Sequence, residues 1–148
     1  MGWCYGDLGI ALSLWQCGKI LHDDGLKMKS LEILRFSTQR KQLEENSVWD
    51  ACLCHGTSGI AQIFLRMYYE TGISSFLDAN KFWINETLRM ATYTNNGTGF
   101  KALEMKQSKL DYFDNYSFLE GISGIGLSLM ASNSDIHFSD WDAFLLIK

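Results

Sequence analysis

Cys54 and His55 stand side by side, and the turn Gly56-Thr57-Ser58-Gly59 follows at once. A thiolate beside an imidazole is a donor pair suited to zinc. The same frame occurs at Cys4-Tyr5-Gly6-Asp7-Leu8-Gly9 and again at Leu119-Glu120-Gly121-Ile122-Ser123-Gly124. Two copies place a cysteine at the matching position and the third places Leu119 there. The residue before the first glycine varies, as Tyr5, His55 and Glu120. A repeat presenting Cys4 and Cys54 at equivalent positions, with His55 beside one of them, would supply three ligands and leave one position of a tetrahedral ion open. The competing reading is that these cysteines are small buried hydrophobes, the usual fate of a free thiol.

The elements that must position these side chains are helices. Each Gly-x-x-Gly precedes an apolar segment at helical spacing: Ile10, Ala11, Leu14 and Trp15; Ile60, Ile63, Phe64 and Met67; Ile125, Leu127, Leu129 and Met130. Neighbouring residues inside a helix point about 100° apart. Cys54 and His55 therefore reach one ion most readily from the loop just ahead of the helix, with Cys4 at the same level on an equivalent helix. Glycine at a helix start permits close backbone approach and the positive φ of a tight turn.

These three segments, together with the closing Trp141-Asp142-Ala143-Phe144-Leu145-Leu146-Ile147, resemble the lanthionine synthetase C-like family, the lantibiotic cyclases. The resemblance implies an all-α fold, an α/α toroid of helical hairpins, of which this chain would be the C-terminal portion. The inner helices of this partial toroid would follow the three Gly-x-x-Gly motifs, with outer helices between them. The resemblance also implies one zinc ion held by Cys4, Cys54 and His55, and a dehydrated precursor peptide as substrate. The implied reaction adds a peptide cysteine thiol to dehydroalanine or dehydrobutyrine, giving (methyl)lanthionine thioether rings. The family's acid/base His and Asp match no residue here, so no catalytic residue is assigned, and the chain alone is expected to be inactive.

The 148 residues suffice for a single domain, 1–148, with a sizeable core. The absence of proline suits helices joined by Gly, Asn and Ser turns. A net charge of −4 and a pI near 5.3 argue against nucleic acid as a partner, whose binding leaves a basic footprint. An acidic surface tolerates a basic peptide. No apolar run approaches the roughly 18 residues of a membrane span, and no basic stretch followed by an apolar one marks a secretory signal. The four cysteines therefore read as reduced thiols in a cytoplasmic setting.

Along the chain, the first helix is expected from Asp7 to Leu21. It would bury Ile10, Leu14 and Leu21, approach its neighbour at Gly18, hold Cys17 in the core and end near His22. Asp23-Asp24-Gly25 then turns into an amphipathic outer helix from Leu26 to Leu43, burying Met28, Leu31, Ile33 and Leu34. Glu44 to Cys52 reads as a loop, with Trp49 packed under the central motif and Cys52 serving packing rather than ligation. A third helix is expected from Thr57 to Glu70. A fourth runs from Ser75, its N-cap, to Tyr93 and buries Phe76, Ala79, Phe82, Trp83 and Leu88. Phe100 to Phe118 reads as a short helix or a loop over the site. A fifth helix follows Gly121, Ser132 to Ser139 is a loop with His137 exposed, and the apolar tail from Trp141 to Ile147 docks on the body.

Three functional readings follow. The first is a zinc site that activates a thiol, with Tyr5 and Asp7 as nearby contacts to ligands or substrate. The second is a non-catalytic remnant, a helical scaffold or interaction module that still holds zinc. The third is a structural zinc module whose fourth ligand comes from Cys52 or another chain. The chain opens at the first motif, so no outer helix precedes the first inner one. A homodimer or an upstream polypeptide is expected to cover it.

Overall fold

The computed structural model describes residues 1–95, 97–133 and 141–145. Five helices are present among them: α1 (Asp7–Ile20), α2 (Asp24–Ser37), α3 (Thr57–Thr71), α4 (Ser74–Arg89) and α5 (Ile122–Ser132). One hairpin, β1 (Ala102–Lys106) with β2 (Lys109–Phe113), lies between α4 and α5. The helices α1, α3 and α5 stand side by side, α2 packs on α1, and α4 packs on α3 and α5. This is the partial α/α toroid the repeat implies: an arc of three inner helices backed by two outer ones. Among the described residues no helix is long and apolar enough to cross a membrane.

The centre of the arc is α3, in which every residue from Thr57 to Met67 is buried because helices or loops cover it on all sides. Buried polar side chains fasten each neighbour to an inner helix. Ser30 Oγ of α2 donates to the Ala11 carbonyl of α1 at 2.7 Å, and Asn80 Nδ2 of α4 donates to the Ala61 carbonyl of α3 at 2.9 Å. These pairs sit at the same repeat offset that relates Cys4 to Cys54. Ser128 Oγ of α5 donates to the Ser58 carbonyl at 2.8 Å. Each hydroxyl or amide is thereby satisfied where water cannot reach it.

The motif glycines are required by space, not by backbone angle. The first glycines cap α1, α3 and α5 at φ −101°, −98° and −123°, all ordinary extended values. A Cβ on Gly9, Gly59 or Gly124 would lie 1.9, 1.8 or 2.0 Å from the carbonyl oxygen of Trp3, Leu53 or Phe118 respectively. The loop ahead of each helix folds back against its first turn, and only glycine admits that approach. The expected role of positive φ is thus replaced by close approach alone. Gly18 acts as expected, since a Cβ there would meet Lys27 Cγ at 2.8 Å.

Several sequence expectations are corrected. α1 buries Leu8, Ala11, Leu12 and Trp15, while Ile10 is 58% and Leu21 67% exposed and Cys17 faces solvent. This helix is apolar on two faces, so periodicity alone does not fix its phase. Met28 and Leu88 are likewise exposed. α2 stops at Ser37, not Leu43, because the chain turns through Thr38 to Arg40 and the Arg40 guanidinium reaches back to Asp7. α4 is capped by Ile73 and ends at Arg89, freeing Tyr93 to bridge Gly99. Phe100–Phe118 contains the hairpin, not a helix. Trp49 is half exposed, and its carbonyl accepts the Tyr112 hydroxyl at 2.8 Å. His137 and most of the polar loop before Trp141 lie outside the described residues. In the tail, Asp142 and Leu145 are buried, and Trp3 Nε1 donates to the Leu145 carbonyl at 2.9 Å.

Candidate metal centre

The site is built where the three pre-helical loops meet. Gly6 and Gly9 both donate through their N–H groups to the Gly2 carbonyl, at 3.2 and 3.3 Å. Gly56 and Gly59 repeat this on the Cys52 carbonyl, at 3.1 and 3.4 Å. Two equal turns therefore present Cys4 and Cys54 at the same height above their helices. The loops are stitched edge to edge: Trp3 N donates to Cys54 O at 3.0 Å, and Cys54 N donates to Leu119 O at 2.9 Å.

This stitching brings the expected ligands together. The Cys54 thiol donates to Cys4 Sγ at 2.9 Å, and the ligating atoms of Cys4, Cys54 and His55 all lie within 4.8 Å of one another. Cys4 is exposed, His55 is partly covered and Cys54 is buried, so the cluster opens on one side. Burial first, and then the hydrogen bond to Cys4, push the Cys54 thiol up to about 12. Two free thiols and an imidazole fit a soft divalent cation such as zinc. The sulfurs stand closer than the roughly 3.8 Å set by two bonds of about 2.3 Å to one tetrahedral ion, so ligation would turn them apart.

His55 is held from both sides. The Tyr5 ring stacks on it with centroids 6.0 Å apart and planes at 30°. Burial, and then the neighbouring Cys4, raise the Tyr5 phenol. On the other side, Asp50 Oδ2 lies 3.9 Å from His55 Nε2. Asp50 is buried and accepts two backbone hydrogen bonds, from Cys52 N at 3.1 Å and from Leu103 N at 3.0 Å. Beside His55, a cleft of about 310 Å³ is lined by Asp50, Leu103, Glu104, Met105 and Glu120. An apolar groove of about 410 Å³ runs from Cys4 and Tyr5 along α1 past Ile10 and Leu14 to Cys17.

Other candidates fall elsewhere. Asp7 does not join the cluster; its carboxylate is paired with Arg40 and accepts Leu8 N at 3.1 Å, the work of a residue at a helix start. Cys52 is buried, as packing requires, and its sulfur accepts His55 N at 3.5 Å. Burial, and then the Asp50 carboxylate, push its thiol up strongly. Cys52 also belongs to a second donor group, with Asp50 and His55. No motif or spacing marks Asp50, whose place at the site depends on contact with β1. Glu120 was visible only as the counterpart of His55 in the third repeat.

Comparison with known proteins identifies relatives of the whole chain. The model of the lanthionine synthetase C-like protein family matches residues 1–146. The nisin biosynthesis protein NisC of Lactococcus lactis subsp. lactis is 30% identical over 149 residues, which cover 98% of this chain and 30% of that protein. A solved structure of nisin cyclase superposes with a TM-score of 0.73 at 25% identity, covering 99% of this chain and 31% of the other. The chain thus spans under a third of the length of these relatives.

Proposed function

From the premise that this chain belongs to the lanthionine synthetase C-like family, we propose that it forms the zinc-holding part of a lantibiotic cyclase, with Cys4, Cys54 and His55 as ligands of one ion. The substrate is a dehydrated precursor peptide. Its cysteine thiol adds to a dehydroalanine or dehydrobutyrine to close a (methyl)lanthionine thioether ring. The observation that carries the reading is the meeting of Cys4 Sγ and Cys54 Sγ at 2.9 Å beside His55, on two equivalent helix starts. Residues 1–148 act as one domain, the C-terminal part of the toroid, in the cytoplasm, where thiols stay reduced.

When bound, zinc supplies the Lewis acidity that turns a thiol of pKa about 8.5 into a thiolate, the nucleophilic form, near neutral pH. The chain's own residues do the rest of the positioning. Burial keeps Cys54 away from competing reactions, while the exposed Cys4 marks the side from which a peptide reaches the cluster. Tyr5, 63% exposed and stacked on His55, forms one wall of that approach. The groove along α1 offers apolar surface to a partner.

The same groove supports self-association. Ile10, Leu14 and Cys17 form a helical stripe on α1 that Leu21 continues at its C-cap, and three of the four are exposed. An uncovered apolar stripe on an inner helix calls for a second copy of this chain or for an upstream polypeptide.

The test is to titrate the zinc-loaded chain with a peptide carrying one free cysteine and to follow thiolate formation by its ultraviolet absorbance; ring closure by this chain alone is not expected, since no acid/base residue is assigned to it. A peptide thiol that ionises below its ordinary pKa of about 8.5 only while zinc is bound supports the thiol-activating reading. Full zinc occupancy with no change in the peptide thiol favours the scaffold reading instead.

A further inference from the structure

Asp50 is a buried carboxylate beside the cluster that the proposed reaction does not use. It is 3% exposed, and no lysine or arginine pairs with it among the described ion pairs. Its two oxygens each accept one backbone N–H, Oδ1 from Cys52 and Oδ2 from Leu103. A carboxylate has about four acceptor positions, so room remains on each oxygen for a further donor. The group facing it is His55 Nε2, at 3.9 Å from Oδ2. Burying a carboxylate is costly unless hydrogen-bond donors surround it. At 3.9 Å the pair is a charge contact rather than a formed hydrogen bond, and a small rotation of the imidazole ring would bring its N–H onto Oδ2.

On the metal reading above, we infer that Asp50 is the positioning residue for His55: it accepts a hydrogen bond from Nε2–H, fixes the tautomer and so assigns Nδ1 as the metal-ligating atom. A ligating histidine commonly donates its other N–H to a carboxylate, which sets the ring orientation and raises its basicity. The alternative, a second metal held by Asp50, Cys52 and His55, asks one imidazole to serve two sites. The arrangement ties the metal centre to the hairpin, because Oδ2 faces both His55 and the N–H of Leu103 on β1. Leu103 sits opposite Tyr112 in the ladder, with its N–H turned away from β2 and toward Asp50.

Zinc affinity, measured by competition with a chromophoric chelator, tests this for the wild-type chain and Asp50→Asn, with helix content followed by circular dichroism. The expected result is a loss of about 10–100-fold for Asp50→Asn at unchanged helix content, the usual scale for a partner of a ligating histidine. Independently of folding in the variant, ¹⁵N NMR of the zinc-loaded wild type should show a protonated Nε2 and a metal-bound Nδ1. Unchanged affinity in Asp50→Asn, or a protonated Nδ1, would overturn the inference while leaving zinc binding intact. A wild-type chain that binds no zinc would overturn the metal reading, and the inference with it.

Discussion

The guanidinium of Arg66 on α3 and the carboxylate of Asp142 in the C-terminal segment form a two-point ion pair, with Nε–Oδ2 at 2.7 Å and Nη2–Oδ1 at 2.5 Å. Asp142 is 0% and Arg66 6% exposed, and Gln62 Nε2 donates to the same carboxylate at 2.5 Å. Breaking a buried ion pair by removing one member typically costs about 3–5 kcal/mol. Asp142→Ala should therefore lower unfolding stability by that order in a urea titration. A surface control such as Glu32→Ala should change it by less than about 0.5 kcal/mol. Equal midpoints for Asp142→Ala and wild type would show that the tail does not anchor the central helix.

The glycine arrangement makes a paired prediction. Gly59→Ala drives a methyl group against the Leu53 carbonyl, whereas a Cβ at Gly126 in α5 meets nothing within 4 Å. The first substitution should destabilise the chain and push the Cys54 loop off its helix, so zinc retention should fall with it. The second should be neutral or stabilise by up to about 1 kcal/mol, the ordinary gain from alanine over glycine inside a helix. Thermal melts and metal analysis of the two variants check both arms; the reverse order of stability would refute the close-approach account.

How much of this was legible in the sequence depended on whether a physical requirement narrowed the residue type. Gly59 and its repeats stood out because no other residue fits there, and Cys4, Cys54 and His55 because few residues ligate a soft cation. The hairpin was not legible. Its turn residues Gln107 and Ser108 adopt left-handed φ of 49° and 64° without the glycine or asparagine that usually marks such a turn. The phase of α1 was missed because apolar residues cover two of its faces. The end of α2 was missed because Arg40, which reads as a helix-terminal charge, leaves the helix for Asp7. Asp50 acquires its place from Leu103, more than fifty residues away in the chain, and spacing alone does not reveal such a partner.

The exposed stripe on α1 predicts self-association. Sedimentation velocity across a tenfold range of concentration should show a species heavier than the 16.9 kDa chain, growing with concentration. Replacing Ile10 and Leu21 together by serine should return it to a monomer without loss of helix content, since both side chains are exposed. A monomer independent of concentration in the unaltered chain would contradict this.

The most direct test of the metal centre is zinc content per chain, measured by atomic emission on purified protein. The account predicts about one zinc in the wild type under the three-ligand rule, none in Cys54→Ala, and the wild-type value in Cys17→Ala, whose thiol faces solvent on α1 away from His55. Unchanged zinc in Cys54→Ala would contradict the assignment of Cys4, Cys54 and His55 as the site.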